Sequence, residues 1–263
     1  MYTGIALYGT EQVTPQEALV LGKSIFTSLG LSVETCGYNQ YIKNGDHEGD
    51  HELIEVSLAE LEEKIAAGYI NSFRLYEEKK GHVPWYASFG LSTNDFGSFH
   101  HIDIQFPAST DSNIESMLTE ALVSVACKYG IAYRCDKVSK SFYYSTGDNL
   151  VSLYPYENPS LFKRETPGRF QGGESYLHSK LRMVYPFNMI NEHHLNIKID
   201  EMILDRWIVK NNAGQLKKIN NSLWMWVVDD GSIDEINQSL GEAGVLISWK
   251  QEFTVKKTAK KLP

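Results

Sequence analysis

Cysteine is scarce in this sequence, and long hydrophobic runs are missing. Only Cys36, Cys127 and Cys135 occur in 263 residues, and no two of them have CxxC spacing. An odd count without that spacing argues against a disulfide-stapled scaffold, so we expect free thiols. The longest apolar runs, such as residues 224–228, fall far short of the ~20 residues that a membrane-spanning helix needs. The N-terminus has no signal-peptide pattern, so we expect a cytoplasmic protein with no membrane partner.

The motifs of several common enzyme classes are missing as well. Neither G-x-G-x-x-G nor G-x-x-x-x-G-K-[ST] is present to hold a nucleotide phosphate, and no G-x-S-x-G pattern marks a serine nucleophile. The sequence therefore predicts no cofactor and no catalytic residue.

One pattern typical of a metal site does occur. Residues 47–51 read H-E-G-D-H, which matches the H-E-x-x-H pattern of zinc hydrolases. That chemistry needs a helix, because only positions i and i+4 of one helical face bring His47 and His51 onto one zinc with Glu48 beside the bound water. Gly49 interrupts the segment, Gly45 lies just before it and no apolar stripe anchors it, so we expect an exposed acidic loop and no metal. A metal-dependent hydrolase using His47, Glu48 and His51 is the alternative.

Negative charge is concentrated in the first part of the chain. Residues 1–100 contain 14 acidic and 6 basic residues, so they carry the whole net charge of −8. The densest part is a run without a base, formed by Asp46, Glu48, Asp50, Glu52, Glu55, Glu60, Glu62 and Glu63. Such a run either keeps the surface solvated or docks a basic partner, and it disfavours nucleic acid because phosphates would be repelled. We expect Asp46, Glu48, Asp50, Glu52 and Glu55 to bind a partner.

Aromatic residues supply a second candidate contact. The sequence has 15 tyrosines, and Tyr143 and Tyr144 fall within a stretch predicted to form a hairpin. Exposed tyrosines suit a protein interface because they bring large contact area at a small entropic cost. We therefore add Tyr143 and Tyr144 to the predicted partner-binding residues.

Periodicity predicts an α+β fold with a mostly antiparallel sheet packed with helices. Alternating apolar residues predict successive antiparallel strands at 70–76, 85–91 and 100–106. A cap at Thr14 predicts a helix that ends at Gly30, and an apolar stripe predicts another over 111–129.

The other predicted elements are less regular. They are strands at 2–8, 31–36 and 131–138, a polar loop at 37–50, a short helix at 57–68, a hairpin at 141–154, helices at 188–195, 200–209 and 232–240, and strands at 215–219, 222–228 and 245–249.

A soft boundary divides the chain into two predicted subregions. Prolines and glycines are frequent and apolar residues few between positions 155 and 180, which is typical of a linker or long loop. We therefore expect an N-terminal α+β domain at 1–155, a linker at 156–180, a smaller C-terminal α+β domain at 181–250 and a basic tail at 251–263.

Residues 182–250 resemble a known family. The similar positions are Arg182–Asn188, His194-Leu195, Trp207-Ile208, Gly214–Leu216, Leu223–Trp226 and Leu240–Leu246. They resemble the C-terminal half of bacterial immunity proteins that accompany polymorphic and type VI secretion toxins, in particular an α+β family paired with nucleases of restriction-endonuclease-like fold. The resemblance covers apolar and aromatic positions and carries over no functional residue.

This resemblance implies a cytoplasmic antidote that binds and blocks one toxin without chemistry of its own. The cognate toxin would have a basic active-site cleft that the acidic run could cover. Besides the metal-dependent hydrolase, a non-catalytic adaptor with no toxin partner is the other alternative.

Overall fold

The computed structural model describes residues 1–47, 49–110, 113–123, 125–168 and 170–250. Its strands are β1 (Tyr2–Tyr8), β2 (Thr35–Tyr41), β3 (His51–Val56), β4 (Phe73–Glu77), β5 (Ala87–Ser92), β6 (His101–Pro107), β7 (Tyr129–Cys135), β8 (Phe187–Asn191), β9 (Lys198–Ile199), β10 (Met202–Ile203), β11 (Gln215–Lys218) and β12 (Leu223–Val227). Its α-helices are α1 (Pro15–Ser28), α2 (Leu58–Ala66), α3 (Ile114–Leu122), α4 (Val138–Thr146), α5 (Pro159–Glu165), α6 (Glu192–Leu195), α7 (Leu204–Lys210) and α8 (Ile233–Glu242).

Ten strands form one sheet in the order β11-β12-β8-β7-β1-β6-β5-β4-β2-β3, and β9 and β10 form a separate pair. Every neighbouring pair in the large sheet is antiparallel. The predicted α+β class with a mostly antiparallel sheet is confirmed.

Apolar side chains lie on both faces of the sheet. One face packs against α1, α2 and α3, and its buried residues include Ile5, Phe89 and Ile104. The other face packs against the C-terminal helices and includes Tyr8, Tyr129 and Trp226. Alternation along each strand sends successive side chains to opposite faces, so one sheet supports both cores.

The three successive strands predicted from period two are confirmed as β4, β5 and β6. Register pairs Phe73 with Leu91 and Leu91 with Ile102, and all three side chains are buried. The helix predicted to begin at Thr14 is α1. The Thr14 hydroxyl accepts a hydrogen bond from the Glu17 amide, and the Glu17 carboxylate accepts one from the Thr14 amide.

The helix predicted over 111–129 is shorter than expected. It begins after the Asn113 cap and ends at Leu122, while residues 111, 112 and 124 lie outside the described part. Tyr129 instead starts β7 and pairs with Tyr8. Pairing with the central strand β1 therefore overrides the helical pattern, and Cys127 lies outside the helix.

The hairpin predicted over 141–154 is wrong. These residues form most of α4, which is followed by its C-cap Gly147 in the left-handed conformation with φ 71°, and then by a 3-10 turn at Asp148–Leu150. The predicted hairpin is centred on Gly147-Asp148-Asn149, but Gly147 instead caps the C-terminus of a helix.

The strand predicted at 31–36 is displaced toward the C-terminus. The strand is β2, and most of its residues fall within the predicted polar loop at 37–50. Its two sides pair with β3 and β4, so sheet pairing decides the conformation of a segment with little apolar signal of its own.

Residues 156–180, expected as a linker, contain α5 and a 3-10 turn at Ser175–Leu177. Phe162 and Tyr176 from this segment are buried in the core. The sheet also crosses the predicted boundary, because β7 from the N-terminal part pairs with β8 from the C-terminal part. The described part of this segment is thus packed structure, and both predicted subregions contribute strands to one sheet.

The C-terminal elements agree in part with expectation. The strands predicted at 215–219 and 222–228 are β11 and β12, and the helix predicted at 232–240 is α8. The helix predicted at 188–195 is mostly the strand β8, with a single turn, α6, after it. The predicted strand at 245–249 forms only isolated bridges through Leu246 and Trp249. The predicted basic tail at 251–263 lies outside the described residues.

Candidate protein-binding surface

The β2–β3 hairpin forms one end of the large sheet. Its strands pair from Cys36 with Val56 to Tyr41 with His51. Beyond the last pair, the Ile42 amide donates to the Asp50 carbonyl at 2.8 Å. The Asp50 carboxylate accepts from the His47 amide at 2.9 Å, so this half-buried acid holds the turn in shape.

The acidic residues predicted to bind a partner are brought together on this hairpin. Asp46 lies in its turn and Glu52 and Glu55 lie on β3, and all three are exposed. None of them forms an ion pair with any described residue. Glu48 lies outside the described residues.

Two of the acidic residues on the neighbouring helix α2, unlike those on the hairpin, form ion pairs. Glu60 pairs with Lys64 at 3.6 Å, and Glu62 pairs with Lys23 at 2.6 Å. Their charges are partly neutralised within the fold. Glu63 of α2 is exposed and forms no ion pair with a described residue, so the uncompensated negative charge of the acidic run lies on the hairpin and at Glu63.

Apolar side chains are exposed beside these acids. Tyr41 is 48% exposed, Ile42 41% and Leu53 37%. The Tyr41 ring packs against the ring of Phe96 with 4.7 Å between centroids, which holds it in place while leaving half of it in solvent. We define the hairpin surface as Tyr41, Ile42, Asp46, Asp50, Glu52, Leu53 and Glu55.

Sequence reasoning did not identify Tyr41 and Ile42 as contact residues. They sit at the start of a polar, glycine-containing stretch, where no core pattern accounts for a tyrosine beside an isoleucine. That mismatch was the available signal, since adjacent apolar residues in a polar loop have no core to enter.

Tyr144 is not an exposed anchor, which corrects the sequence expectation. It is fully buried, its hydroxyl lies 2.6 Å from the Tyr185 hydroxyl and donates to Glu157 at 2.7 Å. The guanidinium of Arg182 lies 3.6 Å from the centre of its ring. Burial also raises the pKa of Tyr144 well above its usual value. Its role is structural.

Tyr143 is 36% exposed but lies on α4, which packs on β1 and β6. In the sheet order, β5, β4 and β2 separate β6 from β3. The structure therefore does not bring Tyr143 together with the hairpin acids.

The described residues of the H-E-x-x-H motif do not lie on a helix. His51 is the first residue of β3, and its Nδ1 lies 3.2 Å from the Gly49 carbonyl, while His47 is in the turn. Glu48 lies outside the described part of the chain. Within that part, no three His, Cys, Asp or Glu side chains are grouped so that they could hold a metal.

The described thiols are poor nucleophiles. Burial, with smaller contributions from Glu60 and Glu62, raises the pKa of Cys36 to about 11, and burial raises that of Cys127 to about 12. All three cysteines are free, as predicted. Since the thiolate is the reactive form, Cys36 and Cys127 stay protonated and inert near neutral pH.

Among the described residues, no helix combines the length and apolar character needed to cross a bilayer.

Comparison with known proteins gives a likeness of fold. No protein-family model matches the sequence, and no curated protein sequence matches it. Among solved structures, the Pseudomonas aeruginosa T6SS protein PA0821 superposes with a TM-score of 0.56 at 11% identity, covering 93% of this chain and 73% of that one. At such low identity, the likeness shows a shared fold.

Proposed function

We propose that this chain is an immunity-type protein that binds and occludes a basic protein toxin in the cytoplasm and has no chemistry of its own. The observation that carries the proposal is the hairpin surface, where exposed carboxylates without ion pairs lie beside exposed apolar side chains. The toxin class we favour is a nuclease, because a cleft that binds phosphates must be positively charged.

Charge on the hairpin would act mainly on association. Asp46, Glu52 and Glu55 lie in the same hairpin and none forms an ion pair with a described residue, so together they make this end of the sheet negative on both faces. Such a field steers an oppositely charged partner during diffusion and sets its orientation on contact.

Apolar contacts would then supply most of the binding energy. Tyr41, Ile42 and Leu53 are exposed beside the carboxylates. Interfaces draw their energy from a few desolvated side chains, with aromatic residues enriched among them, and surround those with polar groups. The hairpin surface has this composition.

The fold likeness to a T6SS protein supports the proposal at the level of architecture. It agrees with the resemblance of residues 182–250 to immunity proteins, although the proposed contact surface lies in the N-terminal half. The shared region would then be a scaffold, and the contact surface would be particular to each partner.

Co-expression tests the proposal. The reading frame next to this gene would be expressed alone and together with the chain, and growth and complex formation would be measured. We expect the neighbour to be toxic alone, harmless with the chain, and recovered as a one-to-one complex. A harmless neighbour that still binds would favour the adaptor alternative. Stoichiometric zinc lost together with activity in His47→Ala would favour the hydrolase.

A further inference from the structure

Strand β3 is the last strand at one end of the large sheet, as the described residues form it. It pairs with β2, and no described strand pairs with its other side. Four of its six residues are exposed, and the other two are only partly buried. An edge strand of this kind presents a row of backbone groups that can pair with another strand.

Register shows which backbone groups face outward. The Ile42 amide donates to the Asp50 carbonyl on the β3 side, and the Asn39 amide donates to the Ser72 carbonyl on the β4 side. Because inward and outward groups alternate in an antiparallel ladder, the even-numbered residues of β3 bond to β2. The amides and carbonyls of His51, Leu53 and Glu55 then point away from the sheet.

The side chains of β3 decide which strand could be added. Glu52 points to one face and Glu55 to the other, so each face of the edge carries a carboxylate. A second copy of β3 paired with the first would bring these carboxylates together, which is unfavourable. An added strand with lysine or arginine opposite these positions would form favourable charge pairs with Glu52 on one face and with Glu55 on the other.

The opposite edge of the sheet has different chemistry. Strand β11 is four residues long and carries Lys217 and Lys218, and Lys217 already pairs with Glu115. A head-to-tail contact between β3 and β11 of two copies would have to bring together chains that each carry a net charge of −8. The charges thus favour a basic strand from another protein.

We propose that β3 binds a basic β-strand of the partner by extending the sheet through the backbone of His51, Leu53 and Glu55. This rests on the proposed function, in which the partner is the toxin. Main-chain hydrogen bonds would supply affinity, and the carboxylates would select a basic strand. The inference adds the mode of binding to the proposed surface.

A synthetic strand tests this without knowledge of the toxin. The probe is a short fluorescein-labelled peptide of alternating lysine and threonine, read by fluorescence anisotropy with the full chain. Two matched probes are the same peptide N-methylated on consecutive central residues and a glutamate-threonine peptide. We expect the basic peptide to bind at least roughly tenfold more tightly than either of the others. Equal binding of the N-methylated peptide would overturn strand addition.

Two proline variants test whether the basic peptide binds at the β3 edge of the sheet or at the opposite β11 edge. By this register the Leu53 amide points away from β2 and donates to no described residue, so Leu53→Pro should block the edge while leaving the pairing with β2 intact. The matched control is Lys218→Pro on β11. The bond from the Ile219 amide to the Leu223 carbonyl puts the Lys218 amide on the outward side. We expect Leu53→Pro to weaken basic-peptide binding at least roughly tenfold and Lys218→Pro to leave it unchanged. Equal loss in both variants would contradict a site on β3, and thermal unfolding of each checks the fold.

Two further outcomes separate this inference from the proposed function. If the toxin binds and Leu53→Pro binds it equally well, sheet extension is wrong and the immunity proposal stands. If the basic peptide binds β3 but the genetic neighbour neither binds nor harms cells, the immunity proposal fails while the basic-strand site remains.

If sedimentation shows wild-type chains associating and Lys218→Pro abolishes this association, the occupant of the edge is a second copy, and a foreign strand is excluded.

Discussion

The guanidinium of Arg74 on β4 and the carboxylate of Asp103 on β6 form a two-point ion pair across the intervening strand, with N–O distances of 2.9 and 2.6 Å. Between them in register lies Gly90 of β5. Asp103 is fully buried and Arg74 largely so, and the Arg74 guanidinium also lies 4.7 Å from the centre of the Phe142 ring. Burial alone would raise the pKa of Asp103, but Arg74 outweighs it and holds that pKa below its usual value.

We expect Gly90→Ala to be strongly destabilising because the pair occupies the space above Gly90. An added methyl group would overlap Nη1 of Arg74 and lie 2.9 Å from Oδ1 of Asp103. Disrupting a buried ion pair costs about 3–5 kcal/mol, so a loss of this order in the free energy of unfolding should follow, measured by urea denaturation. Gly231→Ala is the control, since nothing lies within 4 Å of its added methyl. Equal stability of the two variants would show that Arg74 can move aside.

The helix α3 provides a test of the N-terminal core. Leu122 is 1% exposed and belongs to the cluster that packs beneath the sheet, whereas the next residue, Val123, is exposed. Leu122→Ala should lower the free energy of unfolding by about 2–5 kcal/mol, and Val123→Ala by less than about 0.5 kcal/mol. Denaturant unfolding measures both. A loss below roughly 1 kcal/mol for Leu122→Ala would mean that α3 does not seal this core.

His194 should make stability depend on pH. Burial lowers its pKa from 6.5 to about 4, against the opposing effect of the Tyr176 carbonyl. Between pH 6.5 and pH 4 His194 is therefore protonated in the unfolded chain but neutral in the folded chain. Its contribution to the free energy of unfolding is fully present above about pH 6.5 and is lost as the pH falls toward 4. Between pH 7 and pH 5 the loss from this group should be about 2 kcal/mol.

The comparison with His194→Gln isolates that effect. The variant loses the bond that Nδ1 of His194 accepts from the Asn191 amide, so its absolute stability should be lower. Its decline between pH 7 and pH 5 should nevertheless be shallower than that of the wild type. The pKa of the buried His101 is also lowered, which leaves a residual slope in both proteins. Identical slopes would contradict the effect assigned to His194.

Local patterns predicted the fold class and several elements but not where the strands pair. The alternation of Ile102, Ile104 and Phe106 was enough to place β6, because every second residue enters one core. At Gly147 the same kind of reasoning failed, since a glycine with positive φ serves a helix end as well as a turn. The strand predicted at 31–36 is found at 35–41 as β2, because its conformation depends on pairing with β3 and β4 on either side.

The acidic part of the site could be read from the sequence, whereas the aromatic part could not. Charge is a property of single residues, so the run from Asp46 to Glu55 was visible without a fold. Whether a tyrosine is exposed depends on distant contacts: Tyr144 is covered by Arg182, while Tyr41 is left half exposed beside Phe96.

The central claim is that the hairpin carboxylates guide a basic partner onto the chain. Its most direct test is stopped-flow association with the product of the neighbouring gene, using the triple variant Asp46→Lys, Glu52→Lys and Glu55→Lys. Asp50 is left in place because it holds the turn. The control reverses three exposed acids elsewhere, Asp229, Glu235 and Glu242, and so changes the net charge equally.

We expect the hairpin variant to associate at least roughly tenfold more slowly than the wild type at low salt, and the control to lose much less. The wild-type rate should itself fall as added salt shortens the Debye length below ~10 Å. Equal association rates for the hairpin variant, the control and the wild type would contradict the account.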